Sequence, residues 1–228
     1  MVSKSILVAV VGGITCLDRT FVQAMISRPI VVGPIIGLIL NDPYTGLIVG
    51  AFVELFWIDR SHIGVSIPPN DTVAAILITG TSIIVGTKLD ALSRELIAFS
   101  VLMFMPFGIL SQKIEIWLIR SNDALAQQAM EDAKRGSIHG ISRKHLFGLL
   151  KTFLSTTAFL FISLICGIQI ISWAYPLVPE TIVNALLYVY FFLPVIGVAV
   201  ALNTIKLRGA VPVFSGIFLI SALIIEIL

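Results

Sequence analysis

The feature that most constrains the fold of this chain is a set of ionisable side chains within otherwise apolar sequence, between Gly46 and Leu77. The segment is as apolar as a membrane span, yet it contains acids, bases and an amide: Glu54, Asp59, Arg60, His62, Asn70 and Asp71. An ionisable side chain in hydrocarbon costs roughly 2.5 to 3.5 kcal/mol on insertion scales, so such groups persist where they line a protein-enclosed pocket or path. The segment therefore predicts a functional site at membrane depth.

Two consecutive prolines, Pro68 and Pro69, break the backbone inside the same segment. Each lacks an amide donor and restricts the residue before it, so we expect no helix across Ile67 to Asn70. Non-helical backbone at membrane depth is tolerated only where it is buried in protein or faces water, which is the layout of transporter substrate sites.

Composition sets the fold class. Hydrophobic residues make up 57% of the chain and charged residues 12%, against about 25% charged residues in soluble domains. The mean hydropathy of +1.03 excludes an ordinary water-soluble globule and predicts an all-α, polytopic integral membrane protein. A net charge of +2 gives no reason to expect a nucleic-acid partner.

The two cysteines, Cys16 and Cys166, lie far apart within apolar stretches and have no partners at metal-ligand spacing. We expect both thiols to be buried small hydrophobic groups. We expect no metal site and no cofactor.

Short apolar segments precede the break. A first segment covers Ser5 to Ile26, a second runs from Arg28 to Leu40, and Asn41 to Tyr44 forms a turn signal. About a dozen apolar residues then follow from Gly46, too few for a bilayer crossing that needs roughly 20 helical residues. The pattern predicts discontinuous or re-entrant helices in the N-terminal half.

Two small-residue spacings flank that turn: Gly33-x3-Gly37 and Gly46-x3-Gly50. Such spacings let helix backbones approach closely inside a membrane. They predict tight packing of the two arms of a re-entrant hairpin.

The second half contains longer spans around a polar island. Leu96 to Ile119 predicts a long span, broken or kinked near Pro106, and a separate capped helix is expected to begin at Ser121 or Asn122 and end before Gly136. Residues 120–151 hold the richest basic loop, which the positive-inside rule makes cytoplasmic. Further spans are expected over residues 146–172, 181–202 and 210–228.

These segments predict one membrane domain over residues 1–228. Its N-terminal half, residues 5–119, contains the hairpin with the substrate site. Residues 120–145 form the cytoplasmic polar helix and loop, and residues 146–228 form C-terminal transmembrane helices.

The string RPIVVGPIIGLILNDPYTGLIVGAFVELFWIDRSHIGVSIPPNDTVAAI resembles the IIC subunits of the mannose/fructose/sorbose family of bacterial phosphotransferase systems. The shared features are an Arg-Pro opener, G-x-x-x-G before an Asn/Asp turn, T-G-x-x-x-G, a Leu/Val-Glu pair, an x-I-G tripeptide, and a proline followed by an acid or amide. Weaker likeness continues through Ile141-Ser142-x-x-His145, Pro179-Glu180-x-x-x-Asn184 and Asn203 to Pro212.

The resemblance implies a multi-pass sugar permease of the bacterial inner membrane that acts in a hetero-oligomer with a IID membrane subunit. It implies that soluble IIA and IIB partners carry the phosphoryl group, and that this chain binds a hexose-like sugar and presents it to IIB. It leaves the chain with no phosphoryl-transfer chemistry of its own.

Carboxylates and amides suit a sugar site, because each hydroxyl removed from water needs a replacement hydrogen bond. Glu54, Asn70 and Asp71 are expected to converge on the sugar from two sides of the hairpin, and Glu54 matches the family's glutamate. The alternative for Glu54 is a buried ion pair with Arg60 or Arg19. Asn70 stands where the family commonly has aspartate, and the acid follows as Asp71.

Two further candidates are His62 and Asp18. His62 precedes an Ile-Gly pair where relatives often carry an amide, so it could donate to a sugar hydroxyl, or it could be structural. Asp18 interrupts the first segment at a family-like position. It could contact the IID partner or the sugar-binding core, which the resemblance implies moves against a scaffold. Asp59 and Arg60 depart from the family pattern and are expected to neutralise each other.

His139 and His145 lie in the basic loop and are not expected to carry phosphate. The basic residues around them either help IIB to dock or only fix topology and bind lipid headgroups. Two other functions remain open from the residues: an ion-coupled secondary transporter and a non-transporting regulatory or assembly subunit.

Overall fold

The computed structural model describes residues 1–59, 67–90, 92–204 and 209–227, with side chains up to residue 220. Within these ranges the chain forms eight α-helices, with a π-helical turn after the first and a 3₁₀ turn after the sixth. In chain order they are α1 Val2–Leu17, α2 Pro29–Leu40, α3 Pro43–Phe56, α4 Asp71–Leu89, α5 Arg94–Lys134, α6 Ile138–Ala174, α7 Glu180–Thr204 and α8 Ala210–Ile227.

Five stretches of the described chain are long and apolar enough to cross a membrane: Val2–Val22, Asp71–Leu89, Arg94–Lys134, Ile138–Leu177 and Glu180–Thr204. The predicted all-α, polytopic membrane fold is confirmed.

Helix α4 lies at the centre of the fold and packs against α1, α2, α3, α5 and α6. Its residues from Thr72 to Gly86 are buried on every face, which is the arrangement expected of a helix that is apolar all round. The Asn70 side chain caps its first turn by accepting a hydrogen bond from the amide of Val73 at 3.1 Å. The centre of the molecule thus begins at the proline break.

Helices α2 and α3 form a short hairpin of 12 and 14 residues. Asn41 turns the chain in the left-handed conformation, with φ 69°, and Asp42 caps α3 by accepting from the amide of Thr45 at 3.0 Å. A Cβ on Gly33 would collide with the carbonyl oxygen of Gly46, and one on Gly50 with that of Pro29. The predicted close packing of the two arms is confirmed.

Helices α5 and α6 are much longer, with 41 and 37 residues. At 1.5 Å per residue α5 is about 60 Å long, twice the roughly 30 Å of a hydrocarbon core. The two helices are joined at Gly136, where φ is 68°. They form a long antiparallel hairpin whose closed end holds the polar island.

The predicted start of a separate helix at Ser121 or Asn122 is wrong, because α5 runs unbroken from Arg94 through Pro106 to Lys134. The cap-like residues follow a turn that is already helical, and the Ser121 hydroxyl donates back to the carbonyl of Leu118 at 2.8 Å. The predicted helix end before Gly136 is confirmed.

Of the two thiols, Cys16 is buried as expected, whereas Cys166 is exposed on α6. The prediction for Cys166 was wrong because an apolar stretch in a membrane protein faces lipid as readily as protein. Hydropathy alone therefore cannot separate the two cysteines.

Candidate functional site

The first transmembrane helix ends irregularly. After α1, residues Asp18–Val22 form a π-helical turn, and Gln23 and Met25 then adopt left-handed backbone conformations with φ 55° and 62°. Such turns occur often at functional sites. This one brings Asp18 and Arg19 level with the proline break.

Asp18 has both carboxylate oxygens occupied. One accepts from the amide of Ala24 at 2.7 Å, and the other accepts from the amide and the hydroxyl of Ser27, each at 3.1 Å. Asp18 is only 3% exposed to solvent. Asp18 thus ties the loop after α1 to the start of α2 and has little hydrogen-bonding capacity left for a ligand.

The proline break is not helical, as predicted. Residues Ile67 to Asn70 form no helix, and α4 starts only at Asp71. The break is anchored on α5, because the amide of Asn70 donates to the carbonyl of Gly108 at 2.9 Å and Gln112 donates to the carbonyl of Ile67. This anchoring fixes the position of Asn70.

Asn70 uses its side chain in two directions. Its Oδ1 accepts from Val73 at the start of α4, and its Nδ2 donates to Oε2 of Glu115 on α5 at 3.3 Å. The residue is buried. Asn70 therefore joins the start of the central helix to a carboxylate in the middle of α5.

Asp71 forms an ion pair with Arg19, with Oδ1 and Nη2 3.2 Å apart and the arginine side chain 8% exposed. The other terminal nitrogen of Arg19, Nη1, is buried without a hydrogen-bond partner in the described part of the chain. The hydroxyl of Thr72 donates to the carbonyl of Ser27 at 2.6 Å. These bonds connect the starts of α2 and α4 with the end of α1.

Glu54 lies at the open end of the α2–α3 hairpin and forms an ion pair with Arg28. It also accepts from the amide of Ile30 at 3.4 Å. The alternative proposed from sequence named Arg60 or Arg19 as the partner. The structure pairs Glu54 with Arg28, which directly follows the Ser27 held by Asp18.

The structure thus places two hydrogen-bonded clusters side by side, joined by the bond from Thr72 to Ser27. Asp18 is at the centre of one, Asn70 and Asp71 belong to the other, and Glu54 lies beside them. His62 and Arg60 lie outside the described residues, so the predictions for His62 and for an Asp59 and Arg60 pair are not addressed by the structure.

Sequence reasoning missed Glu115 and the role of Arg19. Glu115 lies inside the predicted span from Leu96 to Ile119, near Lys113, and no sequence motif sets it apart. The usable signal was helical spacing: Ser111, Glu115 and Asn122 fall on one face of α5, because offsets of 4 and 11 residues bring them within about 40° at 100° per residue.

A cavity of about 370 Å³ opens beside this cluster, between the end of α1, α5 and α6. Its volume lies within the roughly 300 to 1,000 Å³ typical of small-molecule sites. Polar groups line it at intervals among apolar side chains: Thr20, Asn70, Ser111, Glu115, Asn122 and Thr156. The cavity therefore offers separated donors and acceptors and, near Asn70, one carboxylate.

The described residues contain no group of three or more histidines, cysteines, aspartates and glutamates that could hold a metal ion. The chemistry that the site can perform is hydrogen bonding. A buried guanidinium with a spare donor, two amides and carboxylate oxygens can together replace the water around a hydroxylated ligand.

Comparisons with known proteins cover nearly the whole chain. Residues 2–227 match the family model described as the sorbose-specific IIC component of phosphotransferase systems. The fructose permease IIC component of Bacillus subtilis (strain 168) is 24% identical over 95% of this chain and 78% of its own length. The mannose-specific EIIC component of Escherichia coli (strain K12) is 22% identical over 92% of this chain and 76% of its own length.

The fold resembles that of the solved complex of the mannose transporter ManYZ with microcin E492. The TM-score is 0.62 at 22% sequence identity, with 97% of this chain and 85% of that chain covered.

Proposed function

The chain belongs to the sorbose-specific IIC family of phosphotransferase systems, and on this premise we propose that it binds a hexose-like sugar where α1, α4 and α5 meet. As a member of that family it is a sugar-translocating, multi-pass subunit of the bacterial inner membrane. The proposal concerns the residues that hold the sugar, the sugar's class and the partners that act with this chain.

The observation that carries the proposal is the position of Asn70, between the proline break and the cavity. It is buried, held by the backbone of Gly108, and hydrogen-bonded to Glu115 at the cavity wall. A buried amide–carboxylate pair is a donor–acceptor unit that can exchange its internal bond for bonds to neighbouring sugar hydroxyls. Its buried setting strengthens those bonds.

Asp71 and Glu54 are the charged members of the proposed site. Each is neutralised by one arginine, Arg19 and Arg28 respectively. Such pairs offset the cost of holding a carboxylate at membrane depth and leave further oxygen lone pairs for hydroxyl donors. His62 remains a further candidate donor from the sequence.

We assign Asp18 a positioning role. Its three accepted hydrogen bonds leave the loop after α1 in a fixed conformation, and that loop leads directly to Arg28. Asp18 therefore acts on the sugar through the residues it orients.

Family components of this kind work with IID and with IIA and IIB partners in mannose-type systems. We expect this chain to assemble with a IID subunit in the lipid bilayer and to receive IIB at the closed end of the α5–α6 hairpin. The basic residues Lys134, Arg135 and Arg143 near that end support a cytoplasmic orientation by the positive-inside rule.

The test is phosphoenolpyruvate-dependent uptake in vesicles that contain this chain with its IID, IIA and IIB partners. Labelled mannose, fructose and sorbose are the probes. We expect one of them to accumulate as its phosphate in wild type, and Glu54→Gln to abolish or strongly reduce uptake while the complex still assembles.

Glu180→Gln, an exposed carboxylate in the first turn of α7, is the matched control and should transport normally. Accumulation of free, unphosphorylated sugar driven by an ion gradient would instead support a secondary transporter. An assembled complex that takes up none of the probes would support a regulatory subunit, and normal uptake by Glu54→Gln would remove Glu54 from the site.

A further inference from the structure

The cavity does not end at the cluster around Asn70. It extends along α5 and α6 toward the closed end of their hairpin, where its lining includes Lys144 and His145. A second cavity, of about 720 Å³, adjoins it there, and Lys144 and Leu125 line both. The residues that line the two cavities together extend from Asn70 to the polar end of the hairpin.

Two long helices turn polar groups toward the first cavity. From α5 come Ser111, Glu115 and Asn122, which share one face of the helix. From α6 come Thr152 and Thr156, one turn apart. Polar residues repeated along membrane-long helices, all facing one cavity, are the arrangement of a solute path and not of a lipid-facing surface.

One atom of this lining has unused hydrogen-bonding capacity. The Oδ1 atom of Asn122, a residue that lines the cavity, is buried and has no hydrogen-bond partner among the described residues. An amide oxygen accepts hydrogen bonds from hydroxyl groups. Asn122 therefore offers one acceptor beside the cavity.

The lining between its two ends is hydroxyl, amide and apolar surface. Leu118, Ile114 and Phe159 lie among the polar groups. A pyranose matches this mixture, because its C–H faces pack on apolar side chains while its rim of hydroxyls needs alternating donors and acceptors. The lining is poorly suited to an ion, which needs closely spaced charges or carbonyls.

Lys144 stands at the boundary between the two cavities and forms an ion pair with Asp132 across the hairpin. Its ammonium also donates to the carbonyl of Gln128 at 3.3 Å. The pair joins α5 to α6 where a solute leaving the first cavity would reach the second.

We propose that the cavity between α1, α5 and α6 is the exit passage for the sugar, with Glu115 as its first contact and the Lys144–Asp132 pair at its outlet. This inference rests on the proposed function and adds to it a path for the sugar. The sugar moves from Asn70 to Glu115, then past Ser111, Asn122 and Thr156 toward the hairpin end.

The first experiment measures access to the passage. Ser111→Cys and Thr156→Cys are each introduced with Cys16→Ser, and alkylation by N-ethylmaleimide is followed in the assembled complex by mass spectrometry. The transported sugar identified from the mannose, fructose and sorbose panel is the protecting ligand. Ala124→Cys, at an exposed position in the polar part of α5 that lines neither cavity, is the control that reports reagent quality, since a water-exposed thiol ionises readily.

We expect both introduced thiols to react, and a sugar at about ten times its Kd to slow their alkylation about tenfold, since it occupies the passage most of the time. Alkylation of the thiol introduced by Ala124→Cys should not change with sugar. Unreactive thiols at both positions, or reaction that the transported sugar does not slow, would overturn the passage.

The second experiment tests the contact residue through transport kinetics. Glu115→Gln keeps an acceptor for Asn70 but loses the charge, so we expect KM for uptake to rise about ten- to a hundredfold, the effect of losing a hydrogen bond to a charged group. Glu95→Gln is the matched control on the same helix, about 30 Å away at 1.5 Å per residue. It should leave KM unchanged.

The two failures are distinguishable. No uptake of any probe by wild type would overturn the proposed function and the passage together. Uptake by wild type with no protection of the introduced thiols would overturn the passage and leave the proposed function standing. An unchanged KM in Glu115→Gln would remove Glu115 from the passage and from the proposed sugar contacts, and would leave sugar transport by this chain standing.

Discussion

Two buried polar clusters lie side by side in this protein and use their hydrogen-bonding groups differently. Around Asp18, both carboxylate oxygens are occupied by the loop that the carboxylate holds. Around Asn70, by contrast, Glu115 lines a cavity of about 370 Å³ and a terminal nitrogen of Arg19 has no partner in the described chain.

This difference distinguishes a cluster that stabilises the fold from a cluster that can bind a ligand. A buried carboxylate whose two oxygens both accept hydrogen bonds stabilises one backbone conformation and has no free acceptor for a ligand. Unused donors and acceptors beside a cavity cost stability unless a ligand completes them. The Asp18 cluster is therefore expected to govern folding, and the Asn70 cluster to govern transport.

The largest effect on stability is expected for Asp18→Ala. Its removal leaves two buried donors of Ser27 without an acceptor, and at about 1–3 kcal/mol for each unsatisfied group the loss is on the order of 3 kcal/mol. For a chain of this size that corresponds to a fall in Tm of about 6–12 °C. Tryptophan fluorescence during heating of the purified complex in detergent measures it.

Asp18→Asn keeps the shape of the side chain but leaves one accepting oxygen in place of two. It should lose about half as much stability. An Asp18→Ala protein with unchanged Tm and impaired sugar binding would reverse the assignment and place Asp18 among the sugar contacts.

The next effect is expected at Gly108, where α5 holds the backbone of Asn70. Gly108 accepts the amide hydrogen of Asn70 and lies against Trp57, so a Cβ there would meet the indole ring at 2.8 Å and the Asn70 carbonyl at 3.1 Å. Overpacking of this kind costs about 1–3 kcal/mol. Gly108→Ala should lower Tm and should also raise KM, because it displaces Asn70.

Gly216→Ala on α8 is the matched control, since a Cβ there meets nothing within 4 Å. It should leave Tm the same or slightly higher, as alanine favours a helix by up to about 1 kcal/mol over glycine. A Gly108→Ala protein with normal KM would show that the position of Asn70 tolerates movement and would weaken its place in the site.

The sequence predicted more of the fold than of the site. Proline chemistry located the break before Asp71, and glycine spacing located the α2–α3 hairpin, because both signals are local. The partner of Glu54 was missed, since Arg28 lies 26 residues away and only the folded hairpin brings them together. Glu115 was missed because its cavity exists only where three separate helices meet.

A smaller loss of stability is expected for Glu115→Gln than for Asp18→Ala. The glutamine oxygen can still accept from Asn70, whose bond to Glu115 is long at 3.3 Å. The variant should therefore unfold within about 1 kcal/mol of wild type, the net worth of one ordinary hydrogen bond. A large fall in Tm would instead show that Glu115 stabilises the fold, as Asp18 is expected to do.

The smallest effect on stability is expected at the outlet, where Asp132 pairs with Lys144 near the closed end of the hairpin. Both side chains are partly exposed, at 17% and 24%, so solvent screens the pair and its worth is about 0–1 kcal/mol. Asp132→Asn should leave Tm nearly unchanged. Asp123→Asn, which changes a carboxylate on the same helix, is its control and should also leave Tm unchanged.

The same two variants are expected to differ in transport. Because Asp132 lines the outlet and Asp123 does not line either cavity, only Asp132→Asn should alter the rate of sugar uptake at saturating sugar. Equal rates in the two variants would mean that the ion pair joins the helices without influencing passage, and the outlet would then have to lie elsewhere along α6.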